Sequence, residues 1–382
     1  MRGSCVLLAF LLLLGCLPCP GQAADLDIGG KSALLMEVST GTILYESNAH
    51  EPLPPASVTK VMTMLLIMEA IDTGVIGWED SVTTSEAAAA KGGSQVYLKV
   101  GETMTVRDML KSIAVSSAND CACAMAEHIA GSESAFVERM NARAEELGMK
   151  DTHFVNCTGL DDSAEAKQHR TSAHDIALMS RQLLHHHPDI RKFTTIWMDS
   201  VRNGAFGLSN TNKLVRFYDG ATGLKTGFTS GAGYCLSASA LRDGMELIAV
   251  VMGAESSQVR FQACKTMLDH GFANYALICP DLCDAGDVPV TLGKASVVRP
   301  RMGASSSLLI DKSQKASVTT EFQLEPSVPA PVSQGQRIGT MRVKAGEQIL
   351  KEIPLVAAEG VERLTFGDLF TRVLRRAAMA RP

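Results

Sequence analysis

"PPASVTKVM", Pro54 to Met62, is the stretch on which the reading of this chain turns. Two prolines and an alanine lead into Ser57, and Lys60 stands just before the apolar run Val61–Met68. Proline is tolerated in the first turn of a helix, where its missing N–H has no intrahelical partner to lose, so the pattern predicts a long helix from Ser57 onward. Residues at i and i+3 share a helical face, which brings the Lys60 nitrogen within reach of the Ser57 hydroxyl. A lysine at the mouth of a buried face has an ordinary explanation as well, a stem that snorkels to water. The rest of the chain decides between them.

An acyl-transferring serine needs a base in reach, a proton relay to the leaving amine, donors for an oxyanion and a hold on the substrate. Ser57 at a helix start meets unsatisfied N–H groups and the positive end of the dipole, which favour an ionising oxygen. Lys60 serves as a base only with its pKa lowered, by burial against the apolar run or by a second cation. Lys225 supplies such a cation in "GLKTGFTSGAGYCLSASA", where Lys225-Thr226-Gly227 falls on an expected strand. There Lys225 and Thr226 suit a substrate carboxylate, and Gly227 has no side chain to block a close approach. Ser117-Ala118-Asn119 falls in a turn between two expected helices, its hydroxyl suited to relaying a proton and its amide to gripping a substrate backbone. Each motif alone is weak. Their single occurrence, in one order and each in the fitting local setting, selects the catalytic reading of Lys60.

Around these motifs the organisation is legible. Ala33–Val38 and Thr42–Tyr45 read as a hairpin, and Ala232–Ala240 with Glu246–Met252 as a second one. Helical patterns occupy Val106–Val115, Asp120–Ala130 and Ala173–Leu184, the last closed by His185-His186-His187-Pro188, which reads as a solvated cap and not as a metal site. Early and late strands bracketing a helical middle predict an α/β domain, one mixed antiparallel sheet with helices packed on it, over residues 24–279. From Pro280 the texture changes to short strand-like runs, a small all-β domain over residues 280–360. Residues 361–382 carry Phe366, Leu369, Phe370, Val373 and Leu374 at helical spacing among Arg372, Arg375 and Arg376. Either this helix packs back on the β domain or, the simpler reading in an exported chain, it lies on an anionic membrane surface.

The chain of 382 residues is 46% apolar, carries a net charge of −5 and has no basic cluster interleaved with aromatics, which argues against a nucleic-acid partner. Residues 1–23 read as a secretory signal peptide: Arg2, an apolar run Val6–Leu14 too short to span a bilayer, and small residues before Ala24. Leu13-Leu14-Gly15-Cys16 offers a lipid-anchor alternative, and both readings place the mature chain outside the cytoplasm, at the cell membrane or wall. Of the ten cysteines, Cys5, Cys16 and Cys19 fall in that segment and seven remain, an odd number. Cys279 and Cys283 are the best placed for a local disulfide; as a zinc pair they have no second close-spaced Cys/His pair to complete the site. The assembled chemistry calls for no metal and no cofactor.

With these blocks in order, "PPASVTKVMT", "SSANDCACAMAEHIAG", "HFVNCTGLDD", "NTNKLV", "GLKTGFTSGAGYCLSASA" and "DHGFANY", the chain resembles the low-molecular-mass penicillin-binding proteins, D-alanyl-D-alanine carboxypeptidases of peptidase family S11. The resemblance implies a β-lactamase-like catalytic domain acting on peptidoglycan stem peptides and inhibited by β-lactams. It implies Ser57 as nucleophile, Lys60 as base, Ser117 as relay and Asn119 as substrate grip. It further implies Lys225, Thr226 and Gly227 along the substrate, the N–H groups of Ser57 and Phe228 as oxyanion donors, and Arg260 at the carboxylate. The chain departs from the family pattern at Ala118, at Phe228 and at Cys157. A class A β-lactamase reading lacks its E-x-x-L-N string, whereas a D,D-endopeptidase uses the same residues and a non-catalytic wall-binding protein would have lost some of them.

Overall fold

The computed structural model describes Leu26, residues 28–304 and residues 306–379. The expected signal peptide and its lipid-anchor variant lie outside the described residues. Strand β1 (Ser32–Glu37) is buried at every position. It has cover on both faces, with Leu34 and Met36 in one apolar cluster and Ala33 and Leu35 in another. β2 (Ile43–Ser47), β3 (Ala221–Thr229), β4 (Gly233–Arg242) and β5 (Met245–Ala254) complete a sheet of order β2-β1-β5-β4-β3, antiparallel throughout. β3 is therefore an edge strand, and alternate N–H groups along it point away from the sheet.

On one face pack α1 (Lys60–Asp72), α2 (Val106–Ser116), α3 (Asn119–Ala130), α4 (Glu133–Glu146) and α5 (Ala173–His186). On the other lies α6 (Ser257–Asn274), whose Ala263, Cys264, Met267 and Leu268 meet Leu247, Ala249 and Val251 of β5. α1 is buried nearly all round, from Lys60 through Ala70, as a helix apolar on every face must be. Its start differs from the expected one. Ser57 lies in a 3₁₀ turn, Ala56–Thr59, and the α-helix begins at Lys60. In 3₁₀ geometry i and i+3 eclipse, which stacks Lys60 over Ser57 more directly than an α-turn would.

Other details also differ. α4 and α6 were not among the expected helices. α5 continues through His186, and of the three histidines only the first two are solvated. His187 is buried, bonded to Asp72 of α1. All seven described cysteines are free. The expected Cys279–Cys283 bridge is absent because the Asp281 carboxylate, accepting the Cys283 N–H at 3.0 Å, sets its own turn, while the Cys279 thiol faces Ser307.

Beyond α6, Tyr275–Ile278 pairs with Leu308–Asp311. A four-stranded sheet, Val318–Leu324, Arg337–Ala345, Gln348–Ala357 and Pro300–Met302, holds the small core of Met341, Val343, Ile353 and Leu355. Helix α7 (Phe366–Met379) follows with Phe366 84% exposed and Phe370, Val373 and Leu374 exposed beside it, so these side chains are not packed back on the β domain. No helix among the described residues is long and apolar enough to cross a membrane.

Candidate active site

The site is built where the start of α1 meets the edge of β3. Lys60 Nζ lies 2.9 Å from Ser57 Oγ and donates to the Thr158 carbonyl at 2.8 Å. The lysine is fully buried, and burial brings its pKa down to about 7, against the pull of Cys157 and Asp120. Cys157, the family departure, is a buried thiol whose own pKa is pushed well up, so the opposing charge belongs to the Asp120 carboxylate. The loop around it is pinned to α1. Thr63 Oγ1 donates to the Cys157 carbonyl at 2.6 Å, and Asn156 Oδ1 accepts the N–H groups of Thr158 and Gly159.

Ser117 ends α2 with left-handed backbone, φ +63, and its buried Oγ has no partner. Asn119 donates from Nδ2 to Gly92 O at 2.6 Å while its buried Oδ1 is unpartnered. Buried polar atoms are rarely left so, because each lacks the hydrogen bond that water gave it; the two at this turn have hydrogen-bonding capacity that no protein group uses. Asp120, next in sequence, accepts from the N–H groups of Val96, Leu98 and Cys121 and so fixes the loop that flanks Asn119.

Across from them Lys225 is buried on β3 and donates to Thr226 O at 2.9 Å. Burial, then repulsion from Lys60 and Arg260, holds its pKa well below the ordinary lysine range. Thr226 Oγ1 bonds Thr211 Oγ1 at 2.6 Å. Gly227 is placed as its missing side chain requires: a Cβ there would stand 2.6 Å from Pro55 O and 3.1 Å from the Ser57 nitrogen. Phe228 is 55% exposed, its ring tilted 33° from that of Tyr234 with centroids 4.3 Å apart. Arg260 is neither a surface arginine nor an open one. Buried, it donates to the carbonyls of Gly227 at 2.8 Å and Cys235 at 3.3 Å, with Nε unpartnered.

Ser57 and Lys60 thus touch, and Gly227 backs directly onto the Ser57 turn. Lys225 lies near enough for Lys60 to act on its charge, and the two unpartnered groups of Ser117 and Asn119 sit at the foot of α3. Arg260 bonds the strand that carries these residues. Thr158, Asp120 and Thr211 went unnoticed in the sequence. Asp120 alone carried a signal there, an acid within the apolar "CACAMA" helix that must find donors once buried.

Residues 20–256 match the peptidase S11 family, D-alanyl-D-alanine carboxypeptidase. The chain belongs to that family. Residues 283–363 match a second family, the C-terminal domain of penicillin-binding protein 5. The carboxypeptidase is 42% identical to D-alanyl-D-alanine carboxypeptidase DacF of Bacillus subtilis over 92% of this chain and 91% of that one. Its fold is similar to that of penicillin-binding protein 5 from Haemophilus influenzae, with TM-score 0.74 and 28% identity over 90% of this chain and all of that one. It is also similar to penicillin-binding protein D2 from Listeria monocytogenes in its ampicillin-bound form, with TM-score 0.59 and 32% identity over 65% of this chain and 99% of the other. These likenesses make it a serine-type hydrolase of the carboxypeptidase branch, with the mixed α/β domain and small β domain expected from its sequence.

Proposed function

We propose that this carboxypeptidase removes the terminal D-alanine of peptidoglycan stem peptides through an ester on Ser57. The observation that carries the reading is the 2.9 Å contact between Ser57 Oγ and a fully buried Lys60 amine. With one N–H committed to Thr158 O, a neutral amine turns its lone pair to the Ser57 hydroxyl and takes its proton. Oγ bonds to the carbonyl carbon of the penultimate D-alanine, and the negative oxygen that forms is held by the N–H groups of Ser57 and Phe228. Collapse breaks the C–N bond, Ser117 passes the proton to the leaving amine, and D-alanine departs. Water then attacks the ester and returns Ser57 to its hydroxyl.

Asn119 holds the substrate amide through its unpartnered oxygen. Lys225, with Thr226 beside it, takes the terminal carboxylate, and the arriving anion offsets the burial that disfavours the lysine's charge. Arg260 contributes by fixing the Gly227 carbonyl and adds positive potential behind the strand. β-Lactams acylate the same oxygen, and their amine cannot leave because it stays in the ring system.

In this reading residues 1–23 direct export, 24–279 carry the chemistry, 280–360 form the β-rich support and 361–382 rest on the outer face of the cell membrane through the exposed apolar side chains of α7. Free D-alanine released from a pentapeptide wall fragment, with a cross-linked dimer tested alongside, decides the substrate. Release from the pentapeptide with the dimer intact supports the carboxypeptidase reading. Cleavage of the dimer would make the protein a D,D-endopeptidase with the same site, and turnover of neither would leave a wall-binding protein.

A further inference from the structure

Ala56 precedes the proposed nucleophile with left-handed backbone, φ +48, which a residue with a Cβ adopts only where its surroundings impose it. Two contacts converge on its carbonyl oxygen. Thr59 Oγ1 donates to it at 2.8 Å, and Gly159 presses against it so closely that a Cβ would fall 1.8 Å away. Behind Thr59 stands His169, buried, with Nε2 2.8 Å from Thr59 Oγ1. The proton of Thr59 is given to Ala56, so the imidazole donates to Thr59 and Nε2 carries its hydrogen. The Val155 N–H donates to Nδ1 at 3.2 Å, which requires a bare Nδ1. Both bonds demand the same neutral tautomer, and burial, with His153 and Lys60 nearby, holds the ring neutral down to a pKa of about 4.

The two nitrogens therefore join two halves of the reaction centre. Nε2 braces the turn that carries Ser57. Nδ1 braces the loop from Val155 to Gly159, whose Thr158 carbonyl orients the Lys60 amine. We infer that His169 is a positioning residue for the acylation step, holding Ser57 Oγ against the Lys60 amine through Thr59 and the Ala56 carbonyl on one side and through Val155 on the other. The inference rests on Ser57 being the nucleophile. The imidazole touches neither substrate nor the reacting atoms. Its contribution is geometric, and small misplacements at this distance have large effects on rate.

The test is a double-mutant comparison of the rate at which benzylpenicillin acylates Ser57, in wild type, Thr59→Val, Thr59→Ser, His169→Phe and the Thr59→Val/His169→Phe pair, each with a thermal melt. Thr59→Val keeps the shape and removes both bonds, so it reports on the network even if His169→Phe folds poorly. The expected result is a loss of roughly 10- to 100-fold in acylation for either single variant, with the KM for a D-Ala-D-Ala peptide within about 3-fold of wild type. The pair should be no slower than the slower single variant, and Thr59→Ser should recover acylation to within about 3-fold. Wild-type rates in Thr59→Val, or penalties that multiply in the pair, would overturn the inference while leaving Ser57 as nucleophile. A wild-type protein that acquires no label on Ser57 would overturn both.

Discussion

In the proposed reaction Lys60 is the base, and its environment sets the pH at which it would work. Burial lowers its pKa to about 7, so the amine is half neutral near neutral pH and protonated below it. A protonated Lys60 has no lone pair for the Ser57 proton. Acylation by penicillin should therefore fall about tenfold per pH unit below 7 and level off above it, measured by stopped-flow or quenched labelling. A rate flat from pH 5 to 8 would remove Lys60 as base. Lys60→Arg, which keeps a cation that does not deprotonate, should slow acylation by at least about 10³-fold. At this scale much was legible. Ser57, Lys60, Ser117 and Lys225 stand out because three individually weak motifs occur once each, in one order and in fitting local settings, and the structure brings the first two into contact. Thr158 and His169 were not legible, because a carbonyl has no side-chain signature and His169 meets Thr59 across 110 residues of chain.

Two elements must abut for the site to exist, the 3₁₀ turn at Ala56–Thr59 and the edge strand β3. Gly227 is where they meet. Gly227→Ala puts a methyl 2.6 Å from Pro55 O and pushes the strand from the nucleophile turn. It should lower acylation by roughly 100-fold and stability by about 1–3 kcal/mol, read from acylation rates and thermal melts. Unchanged acylation would mean that the strand does not approach Ser57 in this way. The hairpins and the helices α1, α2, α3 and α5 follow from apolar periodicity and turn residues visible in the chain. α6 was missed although Ala263, Cys264, Met267 and Leu268 follow helical steps, because its glycine at 271 and its many polar residues dilute the pattern. The 3₁₀ start of α1 has no signal in its own sequence for another reason: Gly159, distant in the chain, packs against the Ala56 carbonyl that Thr59 also bonds.

Across the whole molecule the sheet is covered on both faces, and the β domain carries α7 with Phe366, Leu369, Phe370, Val373 and Leu374 in the open. Deleting residues 361–382 should abolish sedimentation with anionic phospholipid vesicles while leaving D-alanine release from a soluble pentapeptide unchanged. Persistent sedimentation would shift the anchor elsewhere. Fold stability should also depend on acid through His169, whose pKa drops from 6.5 to about 4 on folding. The unfolded ring takes a proton first, so stability is complete above pH 6.5 and falls by about 3 kcal/mol as pH drops to 4. Urea denaturation at several pH values checks this, and His169→Phe should lose that component of the slope. A covalent bond at Ser57 is the central and most directly measurable consequence of the proposed reaction. Incubation with benzylpenicillin followed by intact mass and peptide mapping should give one adduct per chain, on the peptide bearing Ser57, and none in Ser57→Ala. A stoichiometric adduct retained in Ser57→Ala, or mapped to another residue, would contradict it.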